Sequence, residues 1–200
     1  STSRGLGDVY KRQFMKLAPN RFDAEFDAQS EKPGEQRLEK MVSGRYMGEL
    51  FGMAIAELLG EKGKKYGFTS IDMSNIILDE TAGLSEVGRI VSAKTGHDLE
   101  EVDRQRLQEL ASALVVRSAR LVTATYVGII WQLAGDEAIK KQHIAIDGSV
   151  YEKMPLAKEN IMRALSELLG ESAPLVDTVL ENGGSGLGAA IAAAMSQQQA

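Results

Sequence analysis

The sequence predicts an α/β fold that is rich in helix and short of strand. Two observations carry this. Apolar residues recur at spacings of three and four over most of residues 35–133, the period of helices with one buried face. Two short β-like runs, His143 to Ile146 and Leu175 to Leu180, are each followed by a loop and a helical pattern. Two strands make a poor sheet alone, so the sheet is expected to be incomplete, its other strands coming from further sequence or from a partner.

Taken in order, Phe22 to Ser30 is expected to be a polar connection, since Asp23, Asp27 and Ser30 are turn and capping residues. Pro33-Gly34 marks a boundary, with Pro33 tolerated in a first helical turn. One helix is expected from about Glu35 to Lys65, with Leu38, Val42, Leu50, Ile55, Leu58 and Leu59 inward. Gly44, Gly48 and Gly52 recur every fourth residue and so line one face of it. Glycine costs about 1 kcal/mol per helical position relative to alanine, so that face must admit a close neighbour, either backbone or ligand. Lys62, Lys64 and Lys65 are placed at the helix end, where cations complement the dipole.

A short helix is expected from Ser70 to Leu78, with Thr69 and Asp72 at capping-box spacing, and another from Ser85 to Lys94 that stops at Gly96. Asp98 then opens a long helix to about Leu133, its buried side marked by Leu107, Leu110, Leu114, Leu121 and Ile129. Trp131 is expected in the core. After the first strand comes a tight Asp147-Gly148-Ser149 turn, then a helix from Pro155 to Leu169 stopped by Gly170. The second strand leads into a glycine-rich turn, Asn182 to Gly188, and an alanine-rich helix, Ala189 to Met195.

A hydrophobic fraction of 44% and a charged fraction of 26% suit a globular chain. The net charge of -5 implies no nucleic-acid surface. Without cysteine there is no disulfide framework, thiolate metal site or cysteine nucleophile, which fits a cytoplasmic setting. The apolar stretch from Leu110 to Ala134 carries Arg117 and Arg120, expensive in a bilayer, and is expected to be a core helix and not a membrane span. His97 and His143 lack the partner spacing of a metal site, and no metal ligands are assigned.

Four segments carry candidate chemistry. In PGEQRLEKMVSGRYMGE, Gln36 and Glu39 stand three apart on one helix face. A carboxylate accepts strongly and an amide both donates and accepts, a pair suited to the hydroxyls of a polyol. FTSIDMSNIILD offers the hydroxyls of Ser70, also the expected N-cap, and Ser74. In IAIDGSVYEKMP a strand ends in a turn at the carboxyl edge, the usual ligand edge of α/β sheets. There Gly148 lets backbone approach closely and Ser149 offers a hydroxyl. ENGGSGLGAAIAAAM places Gly184 and Ser185 in a glycine turn that opens a helix and aims free N–H groups outward.

These four segments, in this order, resemble the hexokinase/glucokinase family. The first matches the family pattern at Asp23, Asp27, Ser30, Pro33, Gly34, Gln36, Glu39, Lys40, Gly44, Tyr46, Gly48 and Glu49. It departs at Lys32, where asparagine is usual, and at Leu38, where an aromatic is usual. The third has Glu152 in place of the usual lysine. The resemblance implies the carboxy-terminal, large-domain part of a hexokinase, in the ribonuclease H-like or actin-like ATPase fold. It implies hexose contacts, with glucose foremost, at Gln36 and Glu39. It implies nucleotide contacts at Gly44, Arg45, Ser70, Ser74, Gly148, Ser149, Gly184 and Ser185. The implied reaction is ATP-dependent phosphorylation of the 6-hydroxyl, the first step of glycolysis, with Mg2+ held mainly through the nucleotide.

No D-x-G-G-T phosphate loop, N-D-T segment with the catalytic aspartate, or E-W-G sugar motif occurs in these residues. No catalytic base is therefore assigned, and the 200-residue chain is expected to be inactive alone, its partner being the missing amino-terminal part of the same protein. The alternative is a non-catalytic, hexokinase-like sensor of sugar or nucleotide. Residues 1–13 are expected to be a non-native leader, since GLGDVYKRQ resembles translated adapter sequence. Residues 14–196 are expected to form the domain fragment and 197–200 a frayed tail.

Overall fold

The computed structural model describes residues 19–181. The chain divides into two compact units, Ser1–Leu121 and Val122–Ala200, with the boundary inside the longest helix.

The first unit opens with α1, Arg21–Gln29, where the sequence predicts a connection. Asn20 and Asp23 form a reciprocal capping box, each side chain accepting the other's backbone N–H. Asp23 is thus a helix starter, and Phe26 is buried. The predicted 31-residue helix is two helices, α2 at Arg37–Val42 and α3 at Gly44–Leu58, broken at an extended Ser43. A helix end frees carbonyls that need donors. Here the Ser118 hydroxyl donates to the Val42 carbonyl at 2.9 Å. The α3 helix ends well before Lys62, Lys64 and Lys65, which lie on a loop whose Gly60 and Gly63 have φ of +72° and +91°.

The glycine face of α3 meets backbone. A Cβ on Gly48 would lie 2.5 Å from the Phe68 carbonyl oxygen and 2.9 Å from two Thr69 backbone atoms. At Gly52 the nearest atom would be Phe68 Cδ2 at 3.4 Å. The segment entering α4, Ser70–Ile77, therefore lies directly on α3, with Phe51 and Phe68 edge-to-face at 5.4 Å.

Thr69 and Asp72 form the expected capping box, but Thr69 is the N-cap and Ser70 the first helical residue. The α4 C-terminus is closed from a distance. The Gln108 amide donates to the carbonyls of Ile76 and Asp79 at 3.0 and 2.9 Å. After a 3-10 turn at Ala82–Leu84, α5 runs Ser85–Thr95 and ends at left-handed Gly96, as predicted. The buried Asp79 carboxylate accepts from the Thr81 N–H and hydroxyl and from the Val87 N–H, at 2.6–2.9 Å. Burial pushes its pKa up, yet these bonds outweigh burial and leave it below the ordinary carboxylate value. Its stabilising contribution is then complete above the ordinary value and is lost as pH falls through the lowered one. Asp79→Asn is expected to cost about 1–3 kcal/mol at neutral pH. In chemical unfolding the wild-type advantage should shrink on acidification.

The longest helix, α6, spans Glu101–Ala134. Its buried seam is Leu107, Ala111, Val115, Ala119, Val127 and Ile130. Leu110, Leu114 and Leu121 are half-buried, while Ile129 and Trp131 are exposed, contrary to the core placement predicted for Trp131. By length and apolarity this helix could cross a bilayer. Within it, Arg117 pairs with the buried Asp23 of α1 at 2.9 Å.

The second unit is a βαβ arrangement. β1, Gln142–Ile146, pairs in parallel with β2, Val176–Leu180, in the register Gln142 to Val176 through Ile146 to Leu180. Parallel neighbours require a crossover, here α7 at Ser149–Lys153 and α8 at Ala157–Leu169. The predicted Asp-Gly-Ser turn thus continues into a short helix. Tyr151, buried on α7, shares a 2.7 Å hydrogen bond with Thr178 of β2. The glycine-rich turn and alanine-rich helix predicted after β2 lie outside the described residues.

Candidate functional site

The first unit carries a groove of about 700 Å3 beside α3, lined by both polar and aromatic residues. One wall comes from the segment joining α1 to α2. That segment is anchored by Asp27, whose carboxylate accepts from the Gly34 N–H at 2.9 Å and from the Lys40 ammonium at 2.6 Å. The buried Lys40 also donates to the Lys32 carbonyl at 2.7 Å. Burial raises the Asp27 pKa, but the bonds from Lys40 and Gly34 prevail and hold it below the ordinary value. These contacts fix the turn into α2, where Gln36 adopts left-handed backbone geometry, φ +51°, as N-cap. Such a conformation is unfavourable for a residue with a Cβ and is kept here by the anchored loop.

The opposite wall is residues 64–70, fastened to the end of α5 by Lys94. Its ammonium donates to the Gly67 carbonyl at 2.9 Å and lies 3.1 Å from Asp72. At the base of this wall, Glu61 takes bonds from the Lys64 ammonium and the Tyr66 hydroxyl.

The groove brings together three of the residues singled out in the sequence: Gln36, Arg45 and Ser70 all line it. Arg45 is exposed at the start of α3, 5.6 Å from the Tyr46 ring centroid and 3.8 Å from Glu49. Three others are near in sequence but not in the lining. Glu39 is exposed in the first turn of α2, Gly44 is buried as the first residue of α3, and Ser74 turns its hydroxyl to the Ser70 carbonyl at 2.9 Å. Gly148 and Ser149 belong to the second unit, exposed at the carboxyl end of β1, with open space where a Gly148 Cβ would stand. Gly184 and Ser185 lie outside the described residues.

The groove also holds Lys64 and Lys65, which the sequence reading placed at a helix end, and Tyr66, to which it gave no role; all three line it because α3 ends early. The signal available was the Gly60/Gly63 pair, two turn-forming residues inside a presumed helix.

The comparisons agree with the resemblance. The family profile described as Hexokinase matches residues 6–195. The chain is 31% identical over 198 residues to Hexokinase-2 of Candida albicans, covering 92% of this chain and 40% of that one. It is 35% identical over 198 residues to Hexokinase-7 of Oryza sativa subsp. japonica, covering 88% and 42%. The backbone is similar, at a TM-score of 0.69 and 22% identity, to a Schistosoma mansoni hexokinase solved with glucose, over 81% of this chain and 38% of that one. That likeness identifies the helix-rich α/β arrangement as part of the actin-like ATPase fold. The chain spans about two fifths of the length of the curated relatives it matches. With a family match over nearly its whole length and a backbone to suit, the chain belongs to the hexokinase family.

Proposed function

We propose that this chain is the large-domain portion of a cytoplasmic hexokinase that transfers the γ-phosphoryl group of ATP to the 6-hydroxyl of a hexose, glucose foremost. The observation that carries the reading is the groove. Gln36 comes from the sugar motif, Arg45 from the start of the glycine helix and Ser70 from the second motif, and the three line one cleft. A phosphoryl donor and its acceptor must meet in one cleft, since catalysis of this transfer is chiefly positioning and electrostatics.

In this reading the Gln36 amide and the exposed Glu39 carboxylate take hydroxyl hydrogen bonds from the hexose. Glu39 stands on the surface of α2, ready to face a wall supplied by the rest of the protein. Arg45 and the hydroxyls of Ser70 and Ser74 serve the nucleotide; for Gly148, Ser149, Gly184 and Ser185 a nucleotide contact rests on the family resemblance alone. ATP supplies the phosphoryl group, and Mg2+ arrives bound to it. The base that takes the 6-hydroxyl proton belongs to sequence not among these residues. The 200-residue chain is thus a binding half without turnover.

The test is made on the whole protein, with its natural upstream sequence. Glu39→Ala should weaken glucose binding by at least tenfold, as expected when a charge-assisted hydrogen bond worth about 1.5–3 kcal/mol is lost. Titration calorimetry with glucose checks it, and unchanged affinity would remove Glu39 from the sugar site. Robust glucose phosphorylation by the 200-residue chain alone would overturn its assignment as a non-catalytic part.

A further inference from the structure

The chain carries a net charge of -5, yet the lining of this groove has the opposite sign. Lys32, Lys40, Arg45, Lys64 and Lys65 line it, against Glu31 and Glu49. The five cations are not equivalent. Lys40 is buried and spent on Asp27 and the Lys32 carbonyl. Lys64 is shared with Glu61 and lies 5.1 Å from the Tyr66 ring centroid, while Arg45 lies over Tyr46. These two are placed by their aromatic shelves. The ammonium groups of Lys32 and Lys65 are exposed, and no described carboxylate pairs with either.

Two cations with no ion-pair partner among the described residues, flanked by two more that are already oriented, outnumber the unpaired Glu31 of the same lining and leave this concave surface with a positive field. The walls that carry them are fixed, one by Asp27 and Lys40, the other by Lys94 and Glu61. An anion entering here meets donors whose backbone does not have to be rearranged.

From this we infer that Lys32 and Lys65, with Arg45 and Lys64, hold the phosphate chain of a nucleoside triphosphate in this groove. The inference rests on the nucleotide reading above and adds residues to it. Lys32 stands where the family pattern has a neutral asparagine, so the field at that wall is a property of this chain. A triphosphate carries enough charge to engage several cations at once. A sugar monophosphate presents fewer oxyanions and should gain less.

The experiment is titration calorimetry on the 200-residue chain with ATP, inorganic tripolyphosphate, glucose 6-phosphate and adenosine, at low and moderate salt. ATP and tripolyphosphate should bind more tightly than glucose 6-phosphate, and their affinity should fall as salt rises. Lys32→Glu and Lys65→Glu should each weaken ATP binding by roughly tenfold, the scale of one charge-assisted hydrogen bond, and leave adenosine binding unchanged. Both side chains are exposed, so neither change threatens the fold. Lys140→Glu alters the net charge equally on a residue outside the groove and should leave ATP affinity unchanged.

Equal ATP affinity in wild type and both groove variants would overturn the assignment of Lys32 and Lys65 and leave the nucleotide reading standing. Binding of tripolyphosphate but not ATP would overturn the nucleotide reading while keeping an anion site. Tighter binding of glucose 6-phosphate than of ATP, weakened by the same variants, would refute the triphosphate as ligand in favour of the sugar phosphate.

Discussion

Arg117→Met is expected to destabilise the first unit by about 3–5 kcal/mol, because it strands the Asp23 carboxylate in the protein interior. Asp23 is buried and rests on Arg117 at 2.9 Å. The pair is not fully satisfied. Asp23 Oδ1 and Arg117 Nε and Nη2 are buried and make no hydrogen bond to any described residue. The net worth of such a pair is small, since desolvation offsets most of the attraction, but losing one partner leaves the other's desolvation cost uncompensated. Pairing Arg117→Met with Asp23→Asn should therefore restore most of the loss, and asparagine keeps an acceptor for the α1 capping box. Urea unfolding of both single variants and the double variant measures this. A double variant as unstable as Arg117→Met would show that the arginine matters for packing and not for charge.

Gly48→Ala should cost about 3 kcal/mol, although alanine is the better helix former by about 1 kcal/mol. A methyl group at that position would stand 2.5 Å from the Phe68 carbonyl oxygen, and backbone cannot swing aside as a side chain can. The α3 helix and the Phe68–Thr69 segment would have to separate, opening the Phe51–Phe68 contact. Gly52→Ala is the control. Its methyl would touch only the Phe68 ring edge at 3.4 Å, so the gain in helix propensity should keep the change within about 1 kcal/mol. Thermal unfolding of the two variants decides it. Equal stabilities would mean that the glycine face does not depend on the backbone approach. Since Phe68 and Ser70 line the groove, Gly48→Ala should also disturb ligand binding on that wall.

The elements legible in the sequence are those whose ends are set by local chemistry. The Thr69–Asp72 box started α4, Gly96 stopped α5 and Gly170 stopped α8, all within a few residues of expectation. Elements set by distant partners were not legible. The break at Ser43 draws on Ser118 for a carbonyl donor, 76 residues away in sequence. The α1 helix looked like a turn because its acids and serine are turn residues by habit; in the fold Asp23 caps, Asp27 anchors a loop and Ser30 closes the end. In α6 the buried seam is built largely from alanine and valine, while several of its larger residues face partly outward. Size suggested which side was buried, but closeness of packing decided it.

The site was legible in the same uneven way. Gln36, Arg45 and Ser70 were named from motifs and share one groove. The lysine wall is hidden in the sequence because the helical periodicity continues past Leu58, where α3 ends, through two glycines that take positive φ.

The Gln108 amide has a consequence for how the first unit comes apart. A side chain on α6 supplies the donors that the last carbonyls of α4 would otherwise take from water, across 29 to 32 residues of sequence. The two segments therefore share a fate. When the early turns of α6 fray, the end of α4 loses its terminator in the same event, and its amides exchange with solvent together with those of α6. The wall that carries Ser70 is thereby tied to the opening free energy of a helix that does not line the groove.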